Sequence, residues 1–388
     1  MHKFDYRFLK DLKVDSDILN RAVNIESLIG RTVKGGKKAP SVLEGLERKA
    51  IIMSVADSNA IEGIRTSETR LIGLMSDRTA PRGHDEAEIA GYRDALRFIH
   101  AYHAEMVLNK ETVLELYHIL MSFSDTEDSG FKTRDNVIVD RDAEGNVLHV
   151  YPTVPKEEIE KAIDQVIWSF WEARNDFGIN KLLLIPCFIM DFLRIHPFVD
   201  GNGRMSRLLT TLLLYQEGYD ICRYVSMESK INASKQDYYH ALEDSQIGWF
   251  ENENDYTPFI SYFLGQLFLC YREFDRALGI ELSVSKKSNA LEVYLRLSNL
   301  PVSKRELMSL FPYLSESTVE LVLKHMSDAG ELEKVGAARS TRYVRKKEWR
   351  RERDSNSRGQ RPAVFETAAL PGWAISAYPS LSFPIIKS

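Results

Sequence analysis

Apolar residues recur at three- and four-residue spacing along six long segments of this chain, 44–62, 85–104, 110–123, 156–176, 181–195 and 203–217. That period belongs to the α-helix, where positions i, i+3, i+4 and i+7 share a face. Gly and Pro collect between the segments, as in GGKKAP at 35–40 and APRG at 80–83, marking places where helices end. Helices of this kind bury their apolar stripes against one another, so the pattern predicts a mainly α body. Similar patterning returns over 234–277. A chain of 388 residues can hold two or three domains and a large core.

One stretch breaks the helical period. Residues 131–155 read FKTRDNVIVDRDAEGNVLHVYPTVP, two short strands around an Asp-Ala-Glu-Gly-Asn turn, which is a hairpin signal. A lone hairpin is marginal by itself, so it either docks on the helices or presents an edge to a partner. Near 281–288 the composition shifts to a linker. Residues 288–347 then read as a compact unit: a helix at 288–299, a second opened by the capping box Ser303-x-x-Glu306, a third capped by Ser315 or Ser317, and two strands at 331–335 and 341–345. Three helices and a wing predict a winged helix-turn-helix. From about 349 to 388 neither period holds, and the segment reads as a poorly ordered tail.

Composition narrows the setting. The net charge of -5 gives no global attraction to nucleic acid or an anionic membrane. Cys187, Cys222 and Cys270 are too scattered for a disulfide framework or a zinc site, which fits a reducing cytoplasm. The N-terminal residues carry charge throughout, without the apolar stretch of a secretory signal. The longest apolar run, 182–190, is too short to span a bilayer. These features predict a cytoplasmic protein with no membrane contact; they leave homo-oligomerisation open.

The chemistry concentrates in IHPFVDGNGRMSRLL, residues 195–209. An apolar helix precedes it and an amphipathic helix follows, opened by Gly201-Asn202-Gly203. A helix N-terminus offers unsatisfied N–H groups and partial positive charge to anions, and glycines there let a phosphate approach the backbone. Arg204 and Arg207, three residues apart, project from one side of the first turn. Cations at that end oppose the helix dipole, a conflict that a polyanionic ligand resolves. Asp200 could hold Mg²⁺ against phosphates, and His196 is the nearby group able to accept a proton near neutral pH.

The run HPFVDGNGRMSR resembles the signature of Fic-domain proteins, His-Pro-Phe-x-Asp/Glu-Gly-Asn-Gly-Arg-x-x-Arg, with every specified position filled. The resemblance spans roughly 1–275 and implies a Fic-type helical core over 106–280 with the hairpin as its flap. It implies a protein adenylyltransferase that uses ATP and Mg²⁺ to place AMP on a Ser, Thr or Tyr hydroxyl. His196 would be the general base, Phe198 the anchor of the loop, and Asp200 the metal ligand. Gly201, Asn202 and Gly203 would cradle the phosphates, with Arg204 and Arg207 on the β- and γ-phosphates.

In the N-terminal helical region, 1–105, the stretch Ser58-x-x-x-Glu62-Gly63 resembles the inhibitory motif of Fic proteins whose restraining helix, here near 50–63, precedes the core. Ser58 and Glu62 share a helix face, and Gly63 suits the helix end. By resemblance, Glu62 would pair with Arg207 and keep it from the γ-phosphate. The flap would bind a protein target by strand addition, with His149, Val150 and Tyr151 near the nucleotide. Tyr238, Tyr239 and Asn252 are candidates for closing over adenine and ribose, although the tyrosines could equally be core. Two other readings stay open: removal of AMP or transfer of another phosphate group at the same site, and a DNA-binding regulator working through the winged helix. The basic excess around Arg339, Arg342, Arg345, Lys346 and Lys347 permits nucleic-acid contact, while Glu316 and Glu320 on the recognition helix disfavour it.

Overall fold

The structure is a computed structural model that describes residues 2–13, 15–36, 40–124, 130–141, 146–282, 291–292, 295, 301–311, 314–336, 341–346 and 364–369. Eleven helices occupy the first 282 residues: α1 (Ser16–Gly36), α2 (Pro40–Ile61), α3 (Glu68–Met75), α4 (Gly83–Tyr102), α5 (Lys110–Leu120), α6 (Ile159–Asn175), α7 (Lys181–Ile195), α8 (Asn202–Gln216), α9 (Met227–Ala233), α10 (Lys235–Gln246) and α11 (Thr257–Leu282). The six periodic segments all fold as helices. α1, α3 and α9 were not singled out by period. α3 starts where the Ser67 hydroxyl accepts from the Arg70 N–H, a cap that stands in for the helix's missing first-turn partners.

α7 is the centre of the body. The Asn180 side chain caps it by accepting from the Leu182 N–H, and from Leu184 to Ile195 every residue is buried. It packs against α6, α8, α10 and α11, which explains an apolar run with no exposed face. Asp191 interrupts that run and is wholly buried. It accepts from Tyr6 Oη at 2.7 Å, Trp249 Nε1 at 2.8 Å and Tyr256 Oη at 2.8 Å. Burial raises its pKa even against these three donors. The carboxylate thus ties the N-terminal 3₁₀ turn Tyr6–Lys10 to the middle of α7. No helix among the described residues is long and apolar enough to cross a membrane.

The hairpin forms as β1 (Asn136–Arg141) and β2 (Val147–Pro152), antiparallel, with Ile138 opposite Tyr151 and Val139 opposite Val150. The base docks on the body, the first of the two expected arrangements, while the edge of β1 away from β2 is taken up within this chain. That edge pairs with a further strand, Val364–Ala369, giving the order β2-β1-β5. This strand falls in the segment expected to be poorly ordered; the rest of 349–388 lies outside the described residues. In the C-terminal unit, helices Lys304–Leu310 and Glu316–Asp328 precede the antiparallel strands β3 (Leu332–Val335) and β4 (Arg342–Arg345). Ser303 and Glu306 make the expected capping box, and Ser315 caps the following helix. Of the helix expected at 288–299, residues 291, 292 and 295 are described and are helical; the linker expected at 281–288 lies outside the described residues beyond Leu282.

Candidate active site

The loop between α7 and α8 is shaped by two left-handed residues. His196 ends α7 at φ 55°, ψ 61°, and Gly201 opens α8 at φ 81°. Glycine adopts that region freely, whereas a histidine there has to be held by its surroundings. Phe198 does much of the holding. Its ring is buried and stacks on Tyr117 with centroids 3.7 Å apart and planes within 5°. Asn202 closes the loop: its Oδ1 accepts from the Phe198 N–H at 3.0 Å and its Nδ2 donates to the Phe198 carbonyl at 2.8 Å. The Asn202 side chain is therefore a staple of the loop, and the residue also lines the cavity.

His196 Nδ1 lies 3.1 Å from the Leu193 carbonyl oxygen. A hydrogen bond there requires the proton on Nδ1 and leaves Nε2 as the basic nitrogen. Burial pushes the imidazole down to about 3, and the Lys132 and Arg194 charges add to the effect. The ring is thus neutral at pH 7 in this state.

A cavity of about 360 Å³ opens beside this loop, a volume in the range of small-molecule sites. His196, Asp200, Gly201, Asn202, Gly203, Arg204 and Arg207 line one side, Glu62 and Glu88 another, and Ile138, Tyr151, Tyr238, Tyr239 and Leu242 much of the remainder. The seven loop and α8 residues singled out by sequence are thereby brought together. The two tyrosines of α10, left between core and site, are both: each is buried and each lines the cavity.

The two arginines meet different carboxylates. Arg204 Nη2 donates to Asp200 Oδ2 at 2.8 Å and to Glu88 Oε1 at 3.1 Å. Its Nε and Nη1 are buried without a hydrogen-bond partner among the described residues. Buried guanidinium N–H groups left in this state cost free energy, and an anion entering the cavity would supply acceptors. Arg207 donates from Nη2 to Glu62 Oε1 at 2.6 Å and to the Ser58 carbonyl at 3.0 Å, and from Nε to Ser58 Oγ at 2.8 Å. Burial is the largest influence and works against its charge, but Glu62, Tyr238 and Tyr92 together raise the Arg207 pKa.

Glu62 stands just past the end of α2, and Gly63 makes the turn at φ 88°. With the Ile64 N–H on the Asn59 carbonyl at 3.0 Å, the helix closes in a way that a left-handed glycine permits. The Glu62 carboxylate reaches the opening of α8. A Cβ added at Gly203 would stand 2.3 Å from Glu62 Oε1, so the bare backbone at 203 is what admits the carboxylate. A negative group therefore already sits where a helix N-terminus binds anions.

Several residues missed by sequence complete the site. Glu88 on α4 carries no local motif; burial raises its carboxyl against the pull of Arg204. Lys132 bolts the hairpin to the loop. Its N–H donates to the Pro197 carbonyl at 2.8 Å, and its buried amine donates to Asn136 Oδ1 at 2.7 Å and Thr153 Oγ1 at 2.8 Å. Burial lowers that amine to about 7. Asn136 Nδ2 in turn donates to the Phe198 carbonyl at 3.0 Å. Glu243 on α10 accepts from Tyr151 Oη at 2.7 Å.

Three sequence candidates lie outside the cavity lining. His149 and Val150 are on the exposed part of β2, further along the strand from the body than Tyr151. Asn252 occupies a turn at φ 61°, where asparagine is tolerated, and its Oδ1 accepts from the Lys3 N–H.

Residues 107–214, which run from α5 to α8, match the Fic/DOC family. That stretch is similar to the Fic domain. A protein adenylyltransferase Fic from Drosophila virilis is 26% identical over 230 residues, 58% of this chain and 43% of that protein. Protein adenylyltransferase fic-1 of Caenorhabditis briggsae is 25% identical over 234 residues, 57% of this chain and 41% of that protein. The chain therefore spans less than half the length of these curated relatives. Among solved structures, a Fic family protein from Desulfovibrio desulfuricans G20 superposes with a TM-score of 0.55 at 22% identity, covering 86% of this chain and 97% of that one. A Fic domain containing signaling protein from Bacteroides thetaiotaomicron VPI-5482 gives 0.56 at 21%, covering 66% and 97%. At these identities the superpositions speak to the fold alone.

Proposed function

We propose that this protein transfers AMP from ATP to the hydroxyl of a protein side chain, and that Glu62 restrains it. The observation that carries the reading is the cavity itself. In it, a basic imidazole nitrogen, a glycine-lined helix N-terminus and two guanidinium groups, one with unsatisfied N–H donors, face one enclosed space. The names of the relatives support the same activity.

In this reading the N-terminus of α8, Arg204 and Arg207 hold the triphosphate, and Tyr151, Tyr238, Tyr239 and Leu242 enclose the nucleoside. His196 takes the proton of the incoming hydroxyl as its oxygen attacks the α-phosphorus, and pyrophosphate leaves. Positioning and neutralisation of charge supply most of the rate. Among the described residues no cluster of three or more His, Cys, Asp or Glu could hold a metal by itself. Asp200, half exposed and lining the cavity, suits the mode in which Mg²⁺ is bound by one carboxylate together with substrate phosphates. The ion would neutralise phosphate charge. Asp200 would have to share or leave Arg204 to hold it.

Glu62 restrains the reaction in two ways. It occupies the anion-binding end of α8, and it engages the Arg207 N–H groups that a phosphate would use. Incubation with ATP labelled at the α-phosphate or the γ-phosphate tests the chemistry. Label from the α position alone appears on protein if AMP is transferred; label from the γ position would replace this reading with phosphoryl transfer.

We read the C-terminal unit as a winged helix that contacts this same chain. Arg342 on β4 pairs with Glu68 at the start of α3, at 2.5 Å, and with Glu306 at 3.3 Å. Lys304 holds both Glu316 and Glu320 of the helix that would enter DNA. Basic groups committed in this way favour a protein-facing role over nucleic-acid binding. A salt-dependent mobility shift on duplex DNA at micromolar protein would overturn that preference.

A further inference from the structure

A second cavity, of about 580 Å³, opens where the C-terminal unit meets α2 and α3. Two contacts fix the unit there. Phe311, just past the helix Lys304–Leu310, is 1% exposed and packs on α2, where a Cβ added at Gly45 would stand 3.5 Å from its ring. Arg342 pairs with Glu68 at the start of α3. Beside these contacts the facing surfaces leave a hollow. Protein interiors pack to the density of organic crystals, so a space this large is the kind that small molecules fill, and such sites favour seams between folded units.

The walls are aliphatic. Ile51 and Ile52 come from α2, Leu71, Ile72 and Met75 from α3, and Val302 from the C-terminal unit. Ile51, Ile52 and Ile72 are only partly buried, so apolar area remains for a ligand to cover. No aromatic ring lines the space among the described residues, which suits an aliphatic body better than a stacked base.

Four arginines and two glutamates are the charged members of the lining. Arg342 answers both glutamates, Glu68 and Glu306. Arg97 is held by Asp77 at 3.0 Å and by the Met75 carbonyl at 2.6 Å, and Arg48 is also engaged. Arg78 and Arg305 make no ion pair or side-chain hydrogen bond among the described residues. Both are exposed, as befits the rim of a site whose interior is apolar. A guanidinium group matches a carboxylate in a planar, two-point pairing.

We propose that this cavity binds a small aliphatic carboxylic acid, with its chain against the isoleucines of α2 and α3 and its carboxylate on Arg78 and Arg305. The helix α2 is common to both cavities: Ile52 lines this one, and Glu62 lines the other about 15 Å further along. The acid thus lies against the helix that leads to the restraint, yet its binding depends neither on ATP nor on the AMP-transfer reading.

The test is calorimetry on the full chain with octanoate as the probe and no nucleotide present. Octanol offers the chain without the charge, and acetate offers the charge without the chain. Octanoate should bind saturably, one per chain, at least about tenfold more tightly than either comparison compound and at least about tenfold more weakly to Arg78→Gln/Arg305→Gln. Both arginines are exposed, so the double variant should keep its fold, which an unchanged melting temperature without ligand checks. On wild type, octanoate should slow hydrogen exchange in α3 and in the helix Lys304–Leu310. No saturable binding of octanoate, equal binding of octanol, unchanged affinity in the folded double variant, or protection confined to other elements overturns the assignment.

Discussion

Replacing Glu62 with glycine should speed AMP transfer while making the ligand-free protein less stable. Arg207 now has three hydrogen bonds, one to the Glu62 carboxylate and two to Ser58. The change removes the first and leaves the others, so the guanidinium stays in place with an N–H free for a phosphate. A hydrogen bond between charged partners contributes about 1.5–3 kcal/mol net. The Arg207 side chain is only 4% exposed and that of Glu62 23%, so solvent screens the pair little. At about 1.4 kcal/mol per factor of ten, releasing that bond predicts roughly a ten- to hundredfold gain in AMP incorporation. The loss of the pair should lower the melting temperature without nucleotide, and ATP should restore more stability to the variant than to the wild type. Glu62→Gln separates the two parts of the restraint. It keeps the bulk beside Gly203 but drops the charge, so its rate should fall between the other two. Equal incorporation by wild type and Glu62→Gly, with ATP bound by both, would refute the restraint.

Other perturbations probe the remaining parts. His196→Ala should abolish transfer while ATP binding persists by calorimetry; transfer by that variant would remove the base assignment. NMR titration should find the His196 ring neutral down to well below pH 6.5 without ligand, and its pKa should rise when a triphosphate enters. Because the folded value, about 3, lies below the unfolded one, the wild type should lose stability relative to His196→Ala as pH falls from about 6.5 toward 3. Gly203→Ala should disrupt the Glu62 contact, since the new Cβ would fall 2.3 Å from Glu62 Oε1. Chemical denaturation should find its cost smaller in the Glu62→Gly background, a coupling of about 1 kcal/mol or more. Lys132→Met should leave Thr153 Oγ1 without its buried donor and Asn136 Oδ1 with only the Thr153 hydroxyl within reach, costing about 1–3 kcal/mol and loosening the hairpin in hydrogen exchange. The Lys132 amine titrates near 7 when folded and higher when unfolded, so the wild-type advantage over this variant should grow as pH rises above 7.

How far sequence could lead depended on whether a residue's role is local. The loop from His196 to Arg207 is short and chemically mixed, and its neighbours in sequence are its neighbours in space. Ser58, Glu62 and Gly63 announced a helix end, but the meeting of Glu62 with Arg207 took the packing of α2 beside α8 to produce. Glu88 and Lys132 left no signal. Each looks like an ordinary charged residue until the fold buries it next to Arg204 or under the hairpin. Asn252, which lies outside the cavity lining, has the residue type that suits a left-handed turn as well as a nucleotide contact, and sequence alone does not separate the two. α1 was missed although Ile18, Ala22, Ile25 and Ile29 recur at helical spacing and pack it along α11. The strand at 364–369 is six residues long, too short for its period to stand out from the surrounding sequence.

The buried Asp191 carries a practical warning for anyone handling this protein. It sits five residues ahead of His196 on the same helix, and one of its three donors, Tyr6, comes from the far N-terminal end. Clipping residues 2–10, or crowding them with a fusion partner, would strip a hydroxyl donor from a wholly buried carboxyl group. The strain would be felt along α7 toward the imidazole, so a preparation trimmed far from the nucleotide site could lose activity without any change in the residues that touch ATP.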